Sequence, residues 1–287
     1  MRTHNVETRV SQNSSAMSAE HAKFWRDKAL GFDLLHATYV KHSFAPHTHE
    51  GYVIGVVDKG VQTFRYRGAA HYAPPGHVIL VNPGEVHTGS AAHEAGWTYR
   101  PCYPLTRSLI AVHEELGRSD TPYFPEAVVH DSLLAAKLRQ FHRASEDNAS
   151  LLTRSTALFE MLTVLIQRHA DVRSTSSREG LEHRKVREAR EYLDAHAERE
   201  IRLERLSELV ELSPSYLLRT FRRETGMTPH AYQLQKRVGR AKRLLAQGET
   251  PAQVAFQVGF YDQSHLGRHF KRFVGVTPAQ FVRGVAL

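Results

Sequence analysis

The sequence predicts a two-domain chain of class β plus α. An N-terminal jelly-roll β-barrel with a pair of helices is followed by an all-α domain built from two helix-turn-helix units. Three observations predict this. Residues 31–105 break into short strands between Gly and Pro turn signals. The last third of the chain is written twice, at an offset of 49 residues. The positive charge sits entirely on that duplicated third. At 287 residues the chain is long enough for two domains.

Within the front part, Val53 to Val57 and Val78 to Val81 are apolar runs, and Val61 to Arg67 alternates with Gln62, Phe64 and Tyr66 on one face. Lys59-Gly60, Arg67-Gly68, Pro74-Pro75-Gly76 and Asn82-Pro83-Gly84 supply turns. Residues 131–169 change to helical spacing. Leu134, Leu138 and Phe141 mark one stripe, and Leu151, Leu158, Leu162 and Leu165 mark a second. The segment from Asp171 to Leu181 is short, polar and Ser-rich, the composition of a linker. The expected division is a barrel and helical domain at 18–170, a linker at 171–182 and a second, all-helical domain at 183–287, with residues 1–17 loose.

The duplication aligns Ser215-Tyr-Leu-Leu-Arg-Thr-Phe-Arg-Arg-Glu-Thr-Gly-Met-Thr-Pro229 with Ser264-His-Leu-Gly-Arg-His-Phe-Lys-Arg-Phe-Val-Gly-Val-Thr-Pro278. Leu217 and Phe221 lie four apart, so they share a helical face. Gly226 suits a left-handed helix end, Thr228 a cap and Pro229 a first helical turn. The second copy repeats this with Gly275, Thr277 and Pro278. Upstream, Leu206, Leu209 and Val210 keep helical spacing in one copy and Val254, Ala255 and Val258 in the other; Leu206 and Val210 answer Val254 and Val258 at an offset of 48, which makes the second turn one residue longer. Each copy reads helix, turn, helix. Between them, Pro229 to Ala246 keeps one continuous helical pattern. An opening helix is expected from about Arg184 to His196, with Val186, Ala189 and Leu193 inward.

Residues 183–287 hold 19 basic and 11 acidic side chains, an excess of eight, whereas residues 1–182 hold 19 of each. That is the electrostatic footprint of a segment that neutralises phosphates. The duplicated module then presents one small element to two places on double-stranded DNA. One cysteine, Cys102, excludes an internal disulfide and fits a reducing cytoplasm. The N-terminal segment lacks the apolar core of a signal peptide, and no run approaches the roughly 20 apolar residues of a membrane span. A cytoplasmic protein without a membrane partner is expected.

The tail resembles the AraC/XylS family of transcriptional regulators. The resemblance rests on Arg240-Ala-Lys-Arg-Leu-Leu-Ala246, Val258-Gly-Phe260, Ser264 to Arg272 and Gly275-Val-Thr-Pro278, and covers residues 183–284. It implies that both recognition helices enter the major groove. The base-facing candidates are then Ser215, Leu218 and Arg219 in the first helix and Gln263, Ser264 and Arg268 in the second, with Arg222 and Lys271 on phosphates. Gly267 departs from the longer side chain often found there, so the second helix is expected to read fewer bases.

Pro46-His-Thr-His49, Gly60, Pro75-Gly76 and Pro83-Gly-Glu-Val-His87 resemble a cupin, the usual sensory domain of the metabolite-responsive branch of that family. Metal-binding cupins add a glutamate a few residues after the His pair. Here those positions hold Val53 and Ile54, and Glu50 on a strand would face away from His49. A three-histidine metal site is chemically open, because imidazole suits Zn, Fe, Ni and Cu. The preferred reading has no cofactor. Instead a small-molecule effector is bound by His47, His49, Tyr52 and His87, with Trp97, Tyr99 and Tyr103 as stacking surface. In similar regulators helices like those at 131–169 pack on the barrel and supply the dimer contact, so a homodimer is expected; such regulators act through promoter occupancy or contact with RNA polymerase, and more often activate than repress. Two rivals remain: a metal-dependent cupin enzyme with a DNA-binding tail, and a methyl-acceptor repair protein, which would need a reactive Cys102.

Overall fold

The structure, a computed structural model, describes residues 20–118, 120–171 and 181–286. Nine strands open the chain: β1 (His21–Asp27), β2 (Phe32–Tyr39), β3 (Phe44–His47), β4 (Val53–Gly60), β5 (Gln62–Tyr66), β6 (Ala69–Ala73), β7 (Val78–Val81), β8 (His87–Ala91) and β9 (Trp97–Tyr103). Helix α1 (Thr106–Glu115), strand β10 (Val128–Val129) and helices α2 (Ser132–Glu146) and α3 (Leu151–His169) complete the front domain. The strands form two antiparallel sheets facing each other, in the orders β1-β2-β9-β4-β7-β10 and β3-β8-β5-β6. This is the expected jelly-roll barrel.

The apolar runs lack alternation because the larger sheet is covered on both faces. Along β7, Ile79 and Val81 point into the barrel, while Val78 and Leu80 point outward onto α1, α2 and α3. β4 divides likewise, with Val53 inward and Ile54 and Val56 outward. A strand buried on both sides has no polar face to reveal its period. β5 faces solvent on one side and keeps the expected alternation. Strand β1, before residue 31, escaped the sequence reading because Lys23, Arg26 and Asp27 dilute its two aromatics, Phe24 and Trp25.

The second domain contains α4 (Leu181–Ala195), α5 (Leu203–Leu209), α6 (Pro214–Thr225), α7 (Pro229–Ala246), α8 (Pro251–Gln257), α9 (Gln263–Val274) and α10 (Pro278–Ala286). α4 starts three residues before the expected Arg184, inside the segment read as linker. Most of that linker, and the terminal segment expected to be loose, lie outside the described residues. The repeat is reproduced in register. α5 and α8 start 48 residues apart, and α6 and α9 start 49 apart, so the second turn holds the extra residue. Gly226 and Gly275 end their helices at φ 73° and 84°, and Ser213 and Asp262 cap the starts by accepting from Tyr216 N–H and His265 N–H. Among the described residues, no helix is long and apolar enough to cross a membrane.

His142 on α2 is fully buried, with its ring edge-on to Trp25 at 5.6 Å. Burial, aided by the Arg100 charge, pulls its pKa down to about 3. The unfolded chain protonates this imidazole as pH falls through about 6.5, and the folded chain resists until about 3, so the unfolded state binds the extra proton throughout that window. The stabilisation is complete above the upper limit and falls as the solution is acidified. We expect His142 to account for about 2–3 kcal/mol of lost stability by pH 4.5. Denaturant titrations at several pH values should show a His142→Leu variant with an acid limb shallower by about one proton; an unchanged slope would refute this.

Candidate effector cavity and nucleic-acid interface

One end of the barrel opens toward the helical domain, and the space between them is a cleft of about 1910 Å³. His47, His49, His87, Tyr99 and Tyr103 line its barrel wall. Gln235, Lys242 and Arg243 of α7 line the opposite wall. His47 ends β3 and pairs across the ladder with His87 at the start of β8. His49 lies past the end of the strand, so strand alternation does not govern where it or Glu50 points. The ring centroids of His47 and His87 are 4.3 Å apart, those of His47 and His49 are 4.9 Å apart, and those of His49 and His87 are 5.2 Å apart. Tyr103 stands 4.9 Å from His49.

The electrostatics keep these imidazoles neutral. Burial lowers the His47 pKa to about 4. Burial, then the neighbouring histidines, hold His49 and His87 well below the usual range. Nδ1 of His47 contacts the carbonyl of Ala45 at 2.7 Å, and Nδ1 of His87 contacts that of Glu85 at 3.2 Å. Burial raises the Tyr99 and Tyr103 phenols, so both present neutral hydroxyls. Asp33, on the cleft rim, stays ionised although burial opposes it, because Lys242 lies 3.3 Å away and Arg26 2.7 Å away.

Two expected effector contacts are placed elsewhere. Tyr52 faces outward, donates its hydroxyl to the Pro122 carbonyl at 2.5 Å and packs on Phe124. Trp97 has the inward register of β9 but lies fully buried behind the cleft wall, its ring 5.3 Å from Tyr39 and 5.9 Å from Tyr99. Cys102 is buried on the outer face, and burial pushes its thiol up to about 12. A buried thiol held in its protonated form is a poor nucleophile, which counts against methyl-acceptor chemistry at Cys102.

On the helical domain, Leu217 and Phe221 of α6 and Leu266 and Phe270 of α9 are fully buried, which turns the opposite faces outward. Ser215, Leu218, Arg219 and Arg222 on α6, and Gln263, Ser264, Arg268 and Lys271 on α9, are all exposed. Arg219 lies 5.8 Å from the Tyr216 ring. The α9 face is bordered by the barrel. Ser264, Arg268 and Lys271 share a shallow depression with Glu20, Lys41 and His42. The Glu20 carboxylate accepts from the backbone N–H groups of Val40, Lys41 and His42 at 3.0, 2.6 and 2.7 Å.

The sequence reading missed the residues that join the two domains. The Gln235 amide grips Thr48, accepting from its N–H at 3.1 Å and donating to its carbonyl at 3.1 Å and its hydroxyl at 2.6 Å. Phe281 of α10 meets Phe24 of β1 at 5.0 Å between ring centroids. Tyr39 donates to the Gly275 carbonyl at 2.7 Å. No sequence periodicity reports such contacts, because each residue already satisfies the pattern of its own element.

A family model described as an AraC-like ligand binding domain matches residues 29–162, and one described as a helix-turn-helix domain matches residues 206–284. An uncharacterised HTH-type transcriptional regulator of Bacillus subtilis, YbfI, is 33% identical over 229 residues, covering 79% of this chain and 82% of its own length. The arabinose operon regulatory protein of Escherichia coli is 27% identical, covering 82% of this chain and 81% of its own. A crystal structure of apo ToxT from Vibrio cholerae shares the fold at TM-score 0.51 with 11% identity, covering 93% of this chain and 97% of its own.

A Cβ on Gly275 would lie 2.4 Å from the Tyr39 hydroxyl and 2.9 Å from Phe44, at a φ that disfavours side chains. Gly275→Ala should cost about 1–3 kcal/mol in denaturant unfolding. The cost should shrink in a Tyr39→Phe background, where the hydroxyl is gone. Strict additivity of the two changes would show that the domains do not meet here.

Proposed function

The chain belongs to the AraC family of transcriptional regulators, a DNA-binding module joined to a small-molecule-binding domain, and from that premise we propose how this member works. It is an activator that acts in the cytoplasm as a homodimer and performs no catalysis. An effector enters the cleft against His47, His49, His87, Tyr99 and Tyr103. Differential affinity of the effector for one arrangement of the two domains then changes how α6 and α9 are presented to a promoter and to RNA polymerase. The observation that carries the DNA half is the matched exposure of Arg219 and Arg268 at equivalent positions of two helices that each start on a side-chain cap and end on a left-handed Gly. Arg at such a position can bridge guanine in the major groove through two hydrogen bonds.

The homodimer reading draws on α3. Its buried side, Ala157, Met161, Leu162, Leu165 and Ile166, is core. Leu152 and Phe159, 77% and 47% exposed and seven residues apart, present a second apolar side away from the barrel.

Arg219→Ala and Arg268→Ala should each weaken binding to a selected operator by about 1–3 kcal/mol and relax base preference there. Lys271→Ala should weaken all sequences alike and flatten the salt dependence. Footprinting and mobility shifts across a genomic library check both, and absence of any preferred site would end the reading. A Leu152→Lys, Phe159→Lys double variant should sediment as a monomer at micromolar concentration where the parent sediments as a dimer; an unchanged sedimentation coefficient would place the interface elsewhere.

A further inference from the structure

We propose that the barrel itself touches DNA: Lys41, in the loop between β2 and β3, binds a backbone phosphate of the operator segment seated on α9. This contact presupposes that α9 reads DNA, as set out above. It adds a third element, from the front domain, to the two helix-turn-helix units.

The loop is fixed to the helix it flanks. Tyr39, just before it, donates to the Gly275 carbonyl at 2.7 Å. Phe44, just after it, lies where a Cβ on Gly275 would approach to 2.9 Å. Both anchors hold the residue that ends α9. Between them, one oxygen of the Glu20 carboxylate accepts from the N–H groups of Val40, Lys41 and His42. Three N–H groups converging on one anion pin a short turn in place. The His42 ring packs on Tyr39 and Phe44, with centroids 4.6 and 4.5 Å apart. Lys41 therefore moves with α9, and a duplex seated on that helix finds the lysine at a fixed place beside it.

The loop borders the reading face without covering it. Ser264, Arg268 and Lys271 remain exposed, across one open depression from Lys41 and Ser43. A Cβ on Gly267 would meet nothing within 4 Å, so the space between helix and loop is clear. The depression has a sign as well as a shape. Lys41, Arg268, Lys271 and Arg272 surround it, against the single carboxylate of Glu20. His42 adds no charge near neutral pH, because burial, then the Lys271 charge, brings its imidazole to about 4. A positive surplus along one edge of a recognition helix fits a polyanion whose phosphates line the groove that the helix enters. Lysine is a compact charge on a flexible stem, which suits a phosphate oxygen better than the edge of a base. Meeting only the backbone, Lys41 contributes affinity and register and no base preference.

The test uses full-length protein and an operator selected from the genomic library. Lys41→Ala should weaken that operator about three- to tenfold at about 0.1 M salt. It should also reduce the slope of log affinity against log salt by about 0.9, the share of one phosphate. Base preference at every position should stay as in the parent. Arg118→Ala, which removes an exposed cation beyond α1 on the outer face of the larger sheet, should leave affinity and slope unchanged. Neutral methylphosphonate linkages, placed singly along the operator, should then locate the partner. At one linkage in the half read by α9, neutralisation should weaken the parent and not Lys41→Ala. Equal penalties in the two proteins at every linkage would overturn the proposal, and so would a Lys41→Ala salt slope equal to the parent's. Equal losses in Lys41→Ala and Arg118→Ala would overturn it too, since net charge alone would account for them. A parent that selects no operator would remove the premise itself, an outcome distinct from all of these.

Discussion

A jelly roll has an open mouth, and the apolar side chains at its rim must be covered by something. In this chain the cover is the second domain. Phe281 of α10 lies on Phe24 and Phe270, and Tyr39 reaches past Phe44 to the Gly275 carbonyl. The barrel interior and the second helix-turn-helix consequently share one continuous apolar core, while the first helix-turn-helix packs around α4 in a core of its own. Dispersion and burial are effective only at contact. Separating the domains therefore exposes aromatic surface on both sides. The depth of the cleft, the position of α9 beside Glu20 and the grip of Gln235 on Thr48 all follow from that shared core.

Charge is distributed to match. The front domain is balanced and the helical domain carries the surplus. Where they meet, the pairs are of opposite sign: Lys242 with Asp33, and Lys271 beside Glu20. Such partly exposed pairs contribute little stability. Lys271 nonetheless carries its charge beside a carboxylate, so the barrel rim offsets part of the positive field at that end of α9.

The parts of this molecule legible in the sequence are those that repeat or alternate. The duplicated helices, their Gly ends, the Thr-Pro starts of the helices that follow them and the rod from Pro229 to Ala246 stand where the residues placed them. The barrel was legible as a class, and the histidine trio was legible as a cluster. Tyr52 and Trp97 were not placed correctly, for two reasons. Tyr52 precedes β4, outside the alternation that would have assigned its side, and it belongs to the outer face. Trp97 has the inward register, but depth along a strand, rather than side, decides whether a residue reaches the cavity. The domain-joining contacts are encoded at long separations, 187 residues for Thr48 with Gln235, and local spacing carries no trace of them.

The extra residue between Val258 and Gln263 gives the molecule a direction. Two reading helices set by identical turns would present like faces to the duplex. The turn holds four residues in one unit and five in the other, so the two units are not copies of one geometry. Gly267 against Leu218 makes their outer faces chemically unlike as well. A site read by two such unlike units has a head and a tail, so a DNA segment and its reverse are different ligands for this chain.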